Sequence, residues 1–221
     1  MQIGCDPKAD STLSLRQGAK VPTILDLIRK KGKAATLEEM VVLGYNKVIC
    51  LEAGGPTPGV GCAGRGIIIA FEALAERNAF GIYKPDVVFY DVLGDVVCGG
   101  FAMPLRGGYA DYVFVLTSGE NMSIYAAANI VTAVSSFHDR GYAKLGGVIL
   151  NRRGVENEDA KVNEFVKEIG SVLVGTLDRS PLVQKADDMG KTVAEAFPES
   201  EMTVQYEKLA DAILQRCQEQ E

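Results

Sequence analysis

Val87–Gly100 reads VVFYDVLGDVVCGG, and the fold turns on how this stretch is read. Four apolar residues run into Asp91, Gly94 stands three residues later, Asp95 follows, and Cys98 lies in the Gly-rich turn that ends the stretch. An apolar run ending on an acid reads as a buried strand that delivers a carboxylate to the carboxyl edge of a parallel sheet, where α/β proteins bind ligands. Asp91 also opens a D-x-x-G, the arrangement with which many nucleotide-hydrolysing proteins hold magnesium and sense a terminal phosphate. Alone the pattern is common, and a capping Asp in a turn explains it as well. Cys98 lies seven residues past Asp91, within roughly 23 Å of extended chain. One loop can therefore touch both a nucleotide and whatever the cysteine binds.

Working outward, short runs rich in Val and Ile recur at Lys47–Glu52, Asp86–Tyr90, Tyr112–Thr117, Leu145–Leu150 and Val172–Thr176. Each is bounded by polar or Gly punctuation and predicts a strand. Helical patterns fall between or beside them, at Pro22–Lys31, Ile67–Asn78, Ser123–Asp139, Asp159–Ile169 and Thr203–Gln218, the first with Pro in its opening turn. Strands that are apolar throughout suit a sheet covered on both faces. The alternation predicts an α/β chain with a doubly wound, mostly parallel sheet. No repeat, linker or composition break divides the 221 residues, so a single domain over 1–221 is expected.

Composition narrows the function. A formal net charge of −6 argues against a duplex-binding surface, and the basic run Arg29–Lys33 closes a predicted helix, where cations are favoured. No apolar run approaches membrane-spanning length and the start carries no signal-peptide pattern. The expectation is a cytoplasmic protein that binds neither nucleic acid nor membrane. The five cysteines, at 5, 50, 62, 98 and 217, contain no C-x-x-C pair. Zinc-ribbon and ferredoxin spacings are excluded, and an acidic intracellular chain does not suggest a disulfide framework. Cys50 and Cys217 read as ordinary residues of a strand and a helix. Cys62 and Cys98 differ, because each sits in a Gly-rich turn.

Two further stretches carry polar chemistry. Glu52–Gly66, EAGGPTPGVGCAGRG, contains a formal G-x-G-x-x-G at Gly59, Gly61 and Gly64. The loop is too long after its strand for a dinucleotide fingerprint, and Cys62 interrupts it. Cys62 instead precedes a predicted helix, whose backbone N–H groups stabilise a thiolate and hydrogen-bond the sulfurs of a cluster. Two cysteines cannot hold a four-iron cluster, which takes four thiolates. A twofold dimer supplies four, with the cluster on the axis; two unrelated loop cysteines remain the alternative on spacing alone. The other stretch is Gly4–Thr12, GCDPKADST, where Asp6, Lys8 and Asp10 alternate on an extended segment. That spacing suits a carboxylate near magnesium and a lysine toward phosphate, or equally a plain turn before a helix.

In order and composition, GCDPKADST, EAGGPTPGVGCAGRG and YDVLGDVVCGGFAMP resemble the nitrogenase iron protein family, ATP-driven electron donors whose [4Fe–4S] cluster bridges two identical subunits. The resemblance runs from residue 4 to about residue 150 and more loosely beyond. It implies that Cys62 and Cys98 are cluster ligands and that Asp91 is the acid near magnesium. The span from Asp91 to Cys98, with Gly94 and Asp95 inside it, then matches the switch joining nucleotide to cluster. Asp6, Lys8 and Asp10 match the first switch. Arg65 matches a docking-surface arginine that some members carry as an ADP-ribosylation site, and Asn151 matches the residue that reads adenine. Gln184 and Asp187 match the lining of that pocket, although LDRSP at Leu177–Pro181 departs from the family's Pro-Arg-Asp turn.

The implied protein is a homodimer that uses MgATP to pass single electrons to a larger partner carrying a further metallocentre, whether nitrogenase or a nitrogenase-like reductase. One departure is large. No G-x-x-x-x-G-K-[ST] phosphate loop occurs, and the G-K-T at Gly190–Thr192 lacks the earlier glycine. The expectation is therefore an N-terminally truncated member, missing the first strand and phosphate loop and impaired in ATP hydrolysis. The alternatives are a non-functional fragment, or a regulatory or scaffolding relative without a reductase role.

Overall fold

Gln2–Gly4 (β1) is only three residues long, yet it is a central strand. The computed structural model describes residues 1–55, 63–94, 103–106, 108–138 and 142–219, and within them the chain separates into two compact units. The first unit comprises Met1–Leu93, Val97–Pro104 and Ala186–Glu195; the second comprises Gly94–Val96, Leu105–Lys185 and Ala196–Glu221.

In the first unit β1 is followed by α1 (Ile24–Lys31), α2 (Leu37–Met40), β2 (Val42–Leu43), β3 (Ile49–Glu52), α3 (Ala63–Glu76), α4 (Ala79–Tyr83) and β4 (Phe89–Asp91). The described strands lie in the order β2-β3-β1-β4, with β1 parallel to both β3 and β4 and β2 antiparallel to β3. So short a strand holds because both of its edges are paired. The register sets Gly4 opposite Glu52 on one side and Asp91 on the other, so the three strands end on one row. Ile3, Leu51, Ile24, Met40, Ile67, Phe71 and Leu74 are fully buried and form the apolar interior, and Phe71 meets Tyr90 with ring centroids 5.3 Å apart.

α1 starts where Thr23 accepts a hydrogen bond from the Asp26 N–H at 3.2 Å, a side-chain N-cap. Its last turn carries Arg29, Lys30 and Lys31, cations placed favourably at the helix's negative end.

After α5 (Met103–Arg106), the second unit carries β5 (Tyr112–Thr117), α6 (Asn121–His138), β6 (Lys144–Asn151), α7 (Glu158–Glu168), β7 (Leu173–Leu177), α8 (Pro181–Asp188), α9 (Val193–Ala196) and α10 (Glu201–Glu219); parts of α5, α8 and α9 are assigned to the first unit. Its described strands run β5-β6-β7, all parallel. Val115, Val148 and Leu150 form one core with Ala127 and Val131 of α6 and Val162, Phe165 and Val166 of α7. Gly175 pairs with Ile149, whose side chain alternates to the other face from Val148 and Leu150. Leu209 of α10 lies there: a Cβ on Gly175 would come 2.7 Å from its Cδ1. Helices thus cover both faces, as the unbroken apolar strands require. Among the described residues no helix is long and apolar enough to cross a membrane.

Candidate nucleotide-switch and cluster site

The row of strand ends at Gly4, Glu52 and Asp91 organises the first part of the site. The chain leaves β1 with the Cys5 N–H donating to the Asp91 carbonyl at 2.9 Å, then turns sharply. Asp6 makes the turn by accepting from the Lys8 N–H at 2.7 Å through its side chain and from the Ala9 N–H at 3.0 Å through its carbonyl. Ala9 sits at φ 52°, left-handed backbone that an L-residue adopts only under constraint. Lys8 Nζ lies 3.6 Å from the Asp10 carboxylate and 4.0 Å from that of Asp6. With Lys8 72% exposed, these ion pairs add little to stability. What they do is hold one cation and two carboxylates together at the strand edge.

The far end of this segment is pinned from beneath. Glu52, fully buried, accepts from the Thr12 N–H at 2.8 Å and the Thr12 hydroxyl at 2.6 Å, both on Oε1. Gln2 adds a second tether, its amide donating to the Ser11 hydroxyl at 2.8 Å. Glu52 Oε2 has no hydrogen-bond partner among the described residues. Burial pushes the Glu52 carboxyl above its ordinary range; the Thr12 bonds oppose that shift, and nearby Asp10 and Asp91 add to it. A Cβ on Gly4 would sit 1.9 Å from Glu52 Oε2, so only glycine fits there. In the sequence Glu52 stands at a strand's end with no partner in view. Its signal was the same one that marked Asp91, an apolar run ending on an acid.

Glu52 leads into the cysteine-bearing stretch. A Cβ on Gly55 would come 2.4 Å from Pro7 Cβ, and Arg29 Nη2 donates to the Gly55 carbonyl at 2.6 Å. Residues 6–8 and the start of the cysteine-bearing stretch are thus in direct contact. Pro7, Lys8, Lys20, Thr23, Asp26 and Lys30 line a cavity of about 300 Å³ beside them. Cys62, Asp95 and Cys98 lie outside the described residues. Arg65 is exposed in the first turn of α3, and Gly94 is exposed beyond β4.

Two of the described cysteines, Cys5 and Cys50, do not suit a cluster. Cys5 is fully buried, and burial, helped by Asp91 and Glu52, pushes its thiol up to about 12. Cys50 is fully buried and its thiol is raised chiefly by burial. Iron ligation needs thiolates. Among the described residues no group of three or more His, Cys, Asp or Glu side chains is arranged to hold a metal ion. Cys217, on α10, is half-buried.

In the second unit Asn151 ends β6, exposed. Arg152 follows: its N–H donates to the Leu177 carbonyl at 2.9 Å, and its guanidinium bridges Asp159 at 2.5 Å and Asp178 at 2.6 Å. Asp178 also receives the Gln205 amide at 2.9 Å. The departure at LDRSP therefore has a structural partner, since Asp178 is held by the residue next to Asn151. Gln184 and Asp187 are exposed on α8.

Solved structures show what fold carries this site. The cell division ATPase MinD of Pyrococcus furiosus aligns with a TM-score of 0.68 over 96% of this chain and 84% of its own, at 16% identity. The septum site-determining protein MinD complexed with Mg-ADP from Pyrococcus horikoshii aligns at 0.69 over 96% and 82%, at 17% identity. The class is thus an α/β protein with a mostly parallel sheet, a fold shared with these two proteins. Residues 1–220 match the model for "4Fe-4S iron sulfur cluster binding proteins, NifH/frxC family", and the chain belongs to that family. The nitrogenase iron protein of Methanospirillum hungatei is 51% identical over 217 residues, 97% of this chain and 76% of its own. Nitrogenase iron protein 2 of Methanothermococcus thermolithotrophicus is 45% identical over 225 residues, covering 96% and 77%. The resemblance read from the three stretches is borne out. The narrower expectation of a member lacking its phosphate loop is not borne out by these matches.

Proposed function

We propose that the chain is the electron-donor subunit of a nitrogenase-type reductase, working as one domain over 1–221 in the cytoplasm and as a homodimer. Cys62 and Cys98 of two copies would hold one [4Fe–4S] cluster, which supplies one-electron chemistry when bound. The acceptor is a larger protein with its own metallocentre, approached through the surface that carries Arg65.

The observation that carries this reading is the contact set around Gly4–Thr12. Asp6, Lys8 and Asp10 project from the end of β1, joined to Asp91 through the Cys5 N–H. Glu52 fixes the segment's far end and Pro7 touches Gly55. Lys8 meets the negative charge of a terminal phosphate, while Asp6 and Asp10 orient water and magnesium beside it. Asp91, with Gly94 and Asp95 beyond it, connects that phosphate to Cys98. A change at Asp6–Asp10 is therefore felt at both cysteine-bearing stretches. Asn151, with Gln184, receives the adenine.

Anaerobic reconstitution with iron and sulfide tests the reading. The expected product holds four iron atoms per two chains, and MgATP changes the rate at which a chelator removes them. Retention of no iron would refute the reductase reading. Iron removal indifferent to MgATP would refute the coupling alone.

A further inference from the structure

One buried carboxylate outside the switch segments ties two loops of the second unit together. Glu158 opens α7 and is 5% exposed. Its Oε1 accepts from the Gly119 N–H at 3.0 Å and the Arg153 N–H at 3.0 Å. Its Oε2 accepts from the Gly154 N–H at 3.1 Å and, at 3.2 Å, again from Arg153. Gly119 follows β5, and Arg153 and Gly154 follow Asn151 at the end of β6. A single side chain thus joins the ends of two neighbouring parallel strands and orders the turn leaving Asn151.

The fit is close from both sides. A Cβ on Gly119 would come 2.6 Å from Glu158 Cγ and 2.7 Å from its Cα, and Gly154 sits at φ +81°. Arg152 fixes the same turn from the other direction through Asp159, Asp178 and the Leu177 carbonyl. Asn151, although exposed, therefore leaves its strand into a turn held at three backbone N–H groups, those of Arg152, Arg153 and Gly154. A carboxamide presents an accepting oxygen beside a donating N–H, which together match the amino group and ring nitrogen of adenine, whereas the carbonyl and ring nitrogen of guanine both accept. Such discrimination needs the amide held in one orientation before the base arrives.

We infer that Glu158 is the positioning residue for purine recognition, presetting Asn151 so that an adenine nucleotide is preferred over a guanine nucleotide. The inference rests on the proposed contact of Asn151 with the nucleobase. Glu158 touches no substrate itself, and acts through the loops that it fastens.

Calorimetric titration of the full chain with MgADP and MgGDP tests it, in parent and variants. Glu158→Gln keeps the shape but replaces one accepting oxygen with a donor. The preference for ADP over GDP is expected to fall about tenfold, the scale of one lost charge-assisted hydrogen bond. Hydrogen exchange at the Gly119, Arg153 and Gly154 amides is expected to accelerate in the nucleotide-free variant. Gly119→Ala displaces Glu158 from the opposite side and is expected to reduce the preference likewise, which keeps the test decisive if Glu158→Gln does not fold. A preference unchanged in both variants, but erased by Asn151→Ala, overturns the role of Glu158 and leaves that of Asn151 standing. A preference absent from the parent, or unchanged by Asn151→Ala, overturns the nucleobase reading and this inference together.

Discussion

Glu52 and Glu158 are both buried carboxyl groups at strand or helix ends, and their surroundings push them in opposite directions. Burial raises Glu52 and leaves one oxygen unpartnered. For Glu158, burial acts upward too, but the N–H groups of Gly119, Arg153, Gly154 and Val155 outweigh it and lower the carboxyl. The signs for stability follow by linkage. The raised Glu52 contributes stability that is complete below the ordinary carboxylate range and is lost as pH rises through its folded value. The lowered Glu158 contributes stability that is present above that range and is lost as pH falls through its folded value. Urea melts from about pH 4 to about pH 8 read this directly. Relative to Glu52→Gln the parent should lose ground as pH rises, and relative to Glu158→Gln it should gain ground. Slopes of the same sign in both comparisons would refute the assignment. Gly4→Ala drives a methyl into the Glu52 carboxyl and the Ser11 side chain; overpacking of this kind costs about 1–3 kcal/mol, measurable in the same melts. Asp6, Lys8, Asp10 and Asp91 were legible as residue types at a telling spacing. Glu52 and Glu158 were not, because their meaning lies with Thr12 and Gly119, 40 and 39 residues away.

Among the elements, the apolar runs declared themselves as strands, including the run that ends in the three-residue β4. The expected strand Tyr112–Thr117 is β5 as read, and the runs at Lys47–Glu52 and Leu145–Leu150 are β3 and β6 with ends shifted by a residue or two. The three residues of β1 show no period of their own, and their strand character comes from pairing on both edges. β2, two residues paired antiparallel to β3, has no pattern of its own at all. Burial separates residues that the sequence could not tell apart. Leu150 of β6 is fully buried between α6 and α7, whereas Leu116 of β5 is 59% exposed. Leu150→Ala should cost about 2–5 kcal/mol and Leu116→Ala less than about 0.5 kcal/mol. Equal shifts in denaturation midpoint would contradict the placement of this core.

At the scale of the molecule, cysteine chemistry links the family assignment to this chain. Family membership brings a cluster-binding function, and four thiolates must come from a chain with five cysteines. Spacing singled out Cys62 and Cys98 by their glycine-rich turns. The structure adds an argument against two of the others, since Cys5 and Cys50 are fully buried and burial raises both thiols. What the sequence could not express was that argument, because burial of Cys5 arises from β1 lying between β3 and β4 and not from its neighbours in the chain. Alkylation followed by mass spectrometry turns this into a measurement. In protein reconstituted anaerobically with iron and sulfide, Cys62 and Cys98 should resist iodoacetamide, and both should become labelled once a chelator strips the iron. Cys5 and Cys50 should stay unlabelled in both states until the chain is unfolded. Protection of Cys5 that appears only with iron would make it a ligand and refute the assignment. Labelling of Cys62 and Cys98 at the same rate with and without iron would do so as well, since a thiolate bound to iron is not available to the reagent.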